Sequence, residues 1–236
     1  MLKLHPAASL ILAGLAVGLS ACGGAENSSE NASGNPATAS QASQPNATVA
    51  AAALNLSAGP DVCFRAITKH LGQNAQVSEI NSFFSSGSEI DSSDDEPKGQ
   101  VTVCSAQYQN PDDPRKLLSV SLDTRSGEFS APSPVEITVS GGDAAAFKLE
   151  DHLIPLSNVN AAALTSIMDA QKAKLGSVYS RYAWSGVRLM SPDTFSDVHI
   201  LRLDVEGRLA SNDVKESGYA EAAVDGKVID TKNLYP

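Results

Sequence analysis

Between Gly23 and Asn55 the chain has no means of making a core. The tract is Ala, Ser, Asn, Gly, Gln and Thr with Pro36 and Pro45, its only charges are Glu26 and Glu30, and it holds no aromatic residue. Such a composition buries too little apolar area to offset chain entropy, so it reads as a flexible linker. As a random coil it averages on the order of 30 Å end to end. Fully stretched it reaches on the order of 110 Å. Folding is therefore confined to about 180 residues, from Leu56 to Pro236, a length for one domain or two small ones.

The segment before the tract has a different character. Lys3 gives Met1–Ala21 a positive start, and Leu10, Ile11, Leu12, Leu15 and Val17 give it an apolar centre. The apolar run is shorter than the ~20 residues that span a bilayer and ends in small residues, as a cleaved export signal does. Leu19-Ser20-Ala21-Cys22 resembles the lipobox of bacterial lipoproteins. The resemblance implies a diacylglycerol on the Cys22 sulfur, cleavage just before Cys22, and acylation of the new amine. Two or more chains anchor a protein stably where one does not. In that family an Asp directly after the cysteine favours inner-membrane retention. Gly23 stands there instead, which implies the periplasmic face of the outer membrane.

With Cys22 assigned to lipid, Cys63 and Cys104 remain. An even pair in an exported chain reads as a disulfide. No Cys-x-x-Cys motif and no pair of ligating histidines suggests redox or zinc chemistry. The formal net charge is −10, and no cluster of Lys and Arg interrupts it. An acidic surface of this kind speaks against nucleic acid and against anionic lipid heads as partners.

The folded part reads as α+β, with two helix-plus-antiparallel-sheet units in tandem, 56–140 and 141–236. In the first, Pro60-Asp61 opens a helix whose face is Val62, Cys63, Ala66, Ile67, His70 and Leu71, and Gly72 ends it. Strands are expected at Val77–Phe84, Val101–Tyr108 and Leu118–Leu122. A fourth over Phe129–Val139 holds Pro132 and Pro134, which suit only an edge or a bulge. In the second, Asn158 is placed to cap a helix through Leu175 that Gly176 closes, with Leu164, Ile167, Met168 and Leu175 as its stripe. Strands are expected at Val178–Leu189, Val198–Val205 and Arg208–Val214, with a turn at Glu206-Gly207. A last hairpin turns at Asp225-Gly226. Val120-Ser121-Leu122-Asp123 before Gly127 echoes Leu201-Arg202-Leu203-Asp204 before Gly207. This helix-then-meander order, with an Asp and a Gly at the hairpin, resembles PepSY-like modules, which implies a protein that binds or inhibits.

Chemistry-bearing motifs are scarce. His70, His152 and His199 do not fall at ligand spacing, and no nucleophile elbow, Walker loop or dinucleotide fingerprint occurs. Asp91, Asp94 and Glu96 cluster between Ser85 and Gly99, but without the order of an EF-hand. That stretch reads as a solvated loop, with no metal and no cofactor. Tyr179, Tyr182 and Trp184 form the aromatic set from which a binding patch could be built, or else Tyr182 and Trp184 pack under the second helix. The expectation is a non-catalytic protein- or peptide-binding module of the inhibitor, immunity or envelope-assembly type. The alternative is a periplasmic hydrolase acting on cell-wall or peptide substrates.

Overall fold

In the computed structural model, residues 54–139, 143–193 and 196–236 are described. Cys22 and the whole lipobox lie outside them. The first helix, α1 (Val62–Leu71), forms where expected, burying Val62, Cys63, Phe64 and Ile67, and Gly72 caps its end by donating its N–H to the Thr68 carbonyl. Three strands come next: β1 (Gln76–Phe84), β2 (Val101–Gln109) and β3 (Leu117–Ser121). The expected fourth strand shrinks to β4 (Ser133–Val135), with Phe129 making only an isolated bridge to Leu122. Pro132 and Pro134 each withhold a ladder donor, which is why pairing is so short.

After the two-residue β5 (Ile154–Pro155), the chain makes tight 3-10 turns at Leu156–Asn158 and Ala161–Ala163. Asn158 lies in the first of these and caps nothing. The second helix, α2 (Leu164–Val178), begins later than its sequence suggests and runs through Gly176 to end against Tyr179, whose N–H meets the Leu175 carbonyl. Then come β6 (Tyr179–Met190), β7 (Ile200–Leu209), β8 (Lys215–Ala223) and β9 (Val228–Asp230). The turn expected at Glu206-Gly207 does not exist, because β7 passes straight through it and Gly207 pairs with Glu216. Gly207 serves a different need: a Cβ there would stand 2.5 Å from the Tyr179 ring. The Asp225-Gly226 turn forms as expected, closed by the Ala223 N–H on the Lys227 carbonyl.

The nine strands of the described residues join one antiparallel sheet in the order β4-β3-β2-β1-β6-β7-β8-β9, with β5 beside β1. The fold is thus mixed α and β with a large sheet. The central pair, β1 and β6, crosses residue 140, with Ile80 opposite Leu189 and Phe83 opposite Gly186, as does the short pairing of β1 with β5. One face of the sheet carries the core. Ile80, Cys104, Ala106, Val120, Val187, Leu201, Leu203, Val205 and Ala220 line it, and they share one buried cluster with Ile67 of α1 and Leu164, Ile167 and Leu175 of α2. Cys63 of α1 is bonded to Cys104 of β2 across this interface, their Cα atoms 5.6 Å apart and 41 positions apart in sequence. In the chain-entropy account that closure stabilises the fold by about 4 kcal/mol. The two edges differ. β4 carries Pro134, whereas β9 leaves Val228 and Ile229 exposed.

Candidate functional site

Strict alternation along β7 sends Leu201, Leu203 and Val205 into the core and Arg202, Asp204 and Glu206 to the face without helices. Phe83 of β1, Gly186 of β6, Asp204 of β7 and Tyr219 of β8 stand in one row across four strands. The neighbouring row is Asn81, Arg188, Arg202 and Glu221. Arg188 and Arg202 therefore oppose each other directly, a pairing that repels unless an anion intervenes.

Asp204 is that anion. Arg188 donates to it as a fork, Nε to Oδ2 at 2.9 Å and Nη2 to Oδ1 at 3.0 Å. Arg202 donates Nε to Oδ1 at 2.9 Å. The Asp204 carboxylate is only 14% exposed. Arg202 also lies 3.6 Å from the centre of the Tyr219 ring, and Arg188 lies 5.6 Å from that of Phe83, both cation–π contacts. One carboxylate between two guanidiniums leaves a unit of positive charge on these three groups, with Glu221 opposite Arg202 on the neighbouring strand. Among the described residues Arg202 bonds Asp204 through Nε alone, so its two Nη groups are left to meet an acceptor from outside.

The segment Ser85–Gly99, read from sequence as a solvated loop, is instead strapped across this face. Ile90 within it is fully buried. Its carbonyl accepts the Arg208 Nε–H at 2.8 Å, and Lys98 donates to the Tyr182 carbonyl at 2.7 Å. Asp94 organises the strap from inside, with Oδ2 accepting from the Ser85 hydroxyl and the Ser86 and Gly87 N–H groups and Oδ1 from the Glu96 N–H. Burial pushes the Asp94 carboxyl up, but those donors together outweigh it and hold it below the ordinary carboxylate range. Asp91 anchors the strap to β8 through the Lys215 ammonium, which also reaches Glu206 at 3.1 Å. That ammonium, with the Ser93 hydroxyl and N–H, holds Asp91 well below the usual carboxylate range.

Strap and strands enclose an open basin of about 790 Å³, with Phe83, Ser86, Asp94, Arg202, Asp204 and Tyr219 among its lining. It is polar, with an arginine pair at one end and the Asp91–Lys215–Glu206 group at the other. It can take hydrogen-bond acceptors and anions at the first end and stack a planar group on its aromatic residues.

Of the residues singled out from sequence, Asp91 and Asp94 line this basin, and the others fall elsewhere. Cys63 and Cys104 are joined. Tyr179 is buried, donating its hydroxyl to the Leu234 carbonyl at 3.2 Å. Trp184 is buried on the core side, edge-on to the half-buried Tyr182 at 6.3 Å, and the three aromatic residues line a groove beside Met168 and Lys172 of α2. His70 stacks on Phe129 at 4.2 Å. His199 is half-buried, and burial holds its imidazole below the ordinary 6.5. Sequence reasoning passed over Arg188, Arg202, Asp204 and Tyr219, although the alternation Leu-Arg-Leu-Asp-Val-Glu over 201–206 is itself the signal of a charged outer face. No protein-family model, curated protein or solved structure matches the chain.

Proposed function

We propose that this chain is a lipoprotein of the cell envelope, anchored through an acylated Cys22 to the periplasmic face of the outer membrane, and that its α+β body is a non-catalytic module that binds a protein or peptide. We place the contact surface on the helix-free face, at the basin around Arg202. The observation that carries this reading is the pair of uncommitted Nη groups on Arg202, held in place by Asp204 and Tyr219. A guanidinium so positioned is pre-organised for carbonyl or carboxylate acceptors. Tyr182, at the groove beside α2, is the member of the aromatic set with surface left to offer.

We read the body further as two units of like order, 56–140 and 141–236. The succession α1-β1-β2-β3-β4 and then α2-β6-β7-β8-β9 supports this, with the units joined edge to edge through β1 and β6.

Two measurements test the proposal. Cell fractionation of Cys22→Ala is expected to move the protein from membrane to soluble fraction, and retention in the membrane overturns the anchor. Photo-crosslinking from position 202 neighbours in intact cells is expected to trap a discrete envelope partner that Arg202→Glu loses at least tenfold and Lys227→Glu, on the exposed turn after β8, keeps. Equal trapping by both variants overturns the assignment of the surface.

A further inference from the structure

A second concavity lies on the other side of the molecule, between α1 and the hairpin after β3. Its volume is about 600 Å³, within the range of small-molecule sites. Val62 and Ala66 of α1 form one wall, Leu122 and Phe129 of the hairpin the other, and Leu54 closes one end. From Val62 to Lys69 it runs along α1 for about 11 Å. The surface is mostly apolar.

Its charged groups are of one sign. They are Arg65 and Lys69, and no acidic side chain lines it, in a chain whose formal net charge is −10. Arg65 is committed to the Asp61 carboxylate and, at 2.8 Å, to the Ala58 carbonyl. Of the hairpin carboxylates, Asp123 accepts the Arg125 and Ser126 N–H groups of its own turn, and neither it nor Glu128 lines the groove. The Lys69 ammonium enters no ion pair or hydrogen bond among the described residues. It stands one helical turn beyond Arg65 on the same face, at the lip of the groove.

An extended peptide would bring a polar backbone group every few ångströms, and each would need a partner here. Beyond the Thr124 hydroxyl and the side chains of Arg65, Lys69 and His70, the lining offers few such partners, because the backbone of α1 bonds to itself. An alkyl chain has no such need. We propose that this groove binds a single-chain anionic amphiphile derived from membrane lipid, its alkyl chain between α1 and the hairpin and its carboxylate at Lys69. Neither the anchor nor the basin on the opposite face is required for such binding.

The test uses the full chain carrying Cys22→Ser, so that no covalent lipid competes, titrated calorimetrically at neutral pH with decanoate and with decanol below their aggregation limits. Decanoate is expected to bind at one site, with decanol weaker by roughly fivefold or more. Lys69→Glu is expected to weaken decanoate by roughly fivefold while leaving decanol within about twofold. That split is one a merely structural residue would not produce. Ala66→Trp, which fills the groove, is expected to abolish both with an unchanged circular dichroism spectrum. Absence of saturable decanoate binding, which a groove filled by the chain's own N-terminal segment would also give, overturns the proposal. So does equal affinity for decanol, or decanoate binding that survives Ala66→Trp.

Discussion

At Gly186 a missing methyl group makes room for a charge. A Cβ there would lie 2.8 Å from Asp204 Oδ2 and 3.1 Å from the Phe83 ring, so only glycine lets the carboxylate lie flat between its two arginines. Gly186→Ala is expected to destabilise the fold by about 1–3 kcal/mol, as overpacking does. Gly176→Ala is expected to do the reverse. It sits inside α2 with nothing within 4 Å of the added atom, and alanine there stabilises by about 0.5–1 kcal/mol. Urea denaturation of both variants checks the opposite signs. Half of this was legible in the sequence. The outward row of β7 comes from its alternation, but its meeting with Arg188 does not. Simple parity places Trp184 on the same face as Gly186 and Arg188. The register shift between Trp184 and Gly186 adds one residue to β6, so Trp184 turns to the core with Val187 while Arg188 stays outside. Nothing local to Ser185 announces that bulge, since it is imposed by the pairing with β7.

The elements show the same division. The first helix, the strands β1, β2, β3 and β6 and the Asp225-Gly226 hairpin are where periodicity and turn chemistry place them, whereas α2 starts after its expected cap and passes its expected stop, and β7 runs through its expected turn. The strap Ser85–Gly99 was not legible, because its composition is that of a solvated loop and its order comes from partners distant in sequence, Tyr182, Arg208 and Lys215. Its internal support can be removed separately. Asp94→Ala leaves the donors of Ser85, Ser86, Gly87 and Glu96 without their acceptor. It is expected to cost about 1–3 kcal/mol locally, seen as faster hydrogen exchange at Ser86 and Gly87 and as new proteolysis at Lys98. Acid does the same by titration. The folded Asp94 carboxyl lies below its ordinary 3.8, so its contribution is complete above that value. It is lost as pH falls through the lower folded one. Strap protection is therefore expected to persist at pH 5 and to fail only in stronger acid.

For the whole molecule the decisive contact is the pairing of β1 with β6. Residues before 140 and after it share one sheet and one buried cluster, which also takes Leu234 from the C-terminal turn. The body is expected to unfold in a single transition, with Trp184 fluorescence and far-ultraviolet circular dichroism giving the same midpoint in urea. Separate midpoints would mean that the two halves fold alone. Alternation marks the strands of this sheet but not their order, since local turns say nothing of which strand lies across from β1.

The unlike borders of the sheet carry a consequence for assembly. Both border strands are three residues long, but growth at the β4 rim is opposed by the proline in its middle, while the β9 rim presents exposed Val228 and Ile229. Among the described residues, a second copy is expected to join at the β9 rim, like rim to like rim, which occupies that border on both partners. Lateral association through that rim is expected to stop at a pair rather than extend into a fibre.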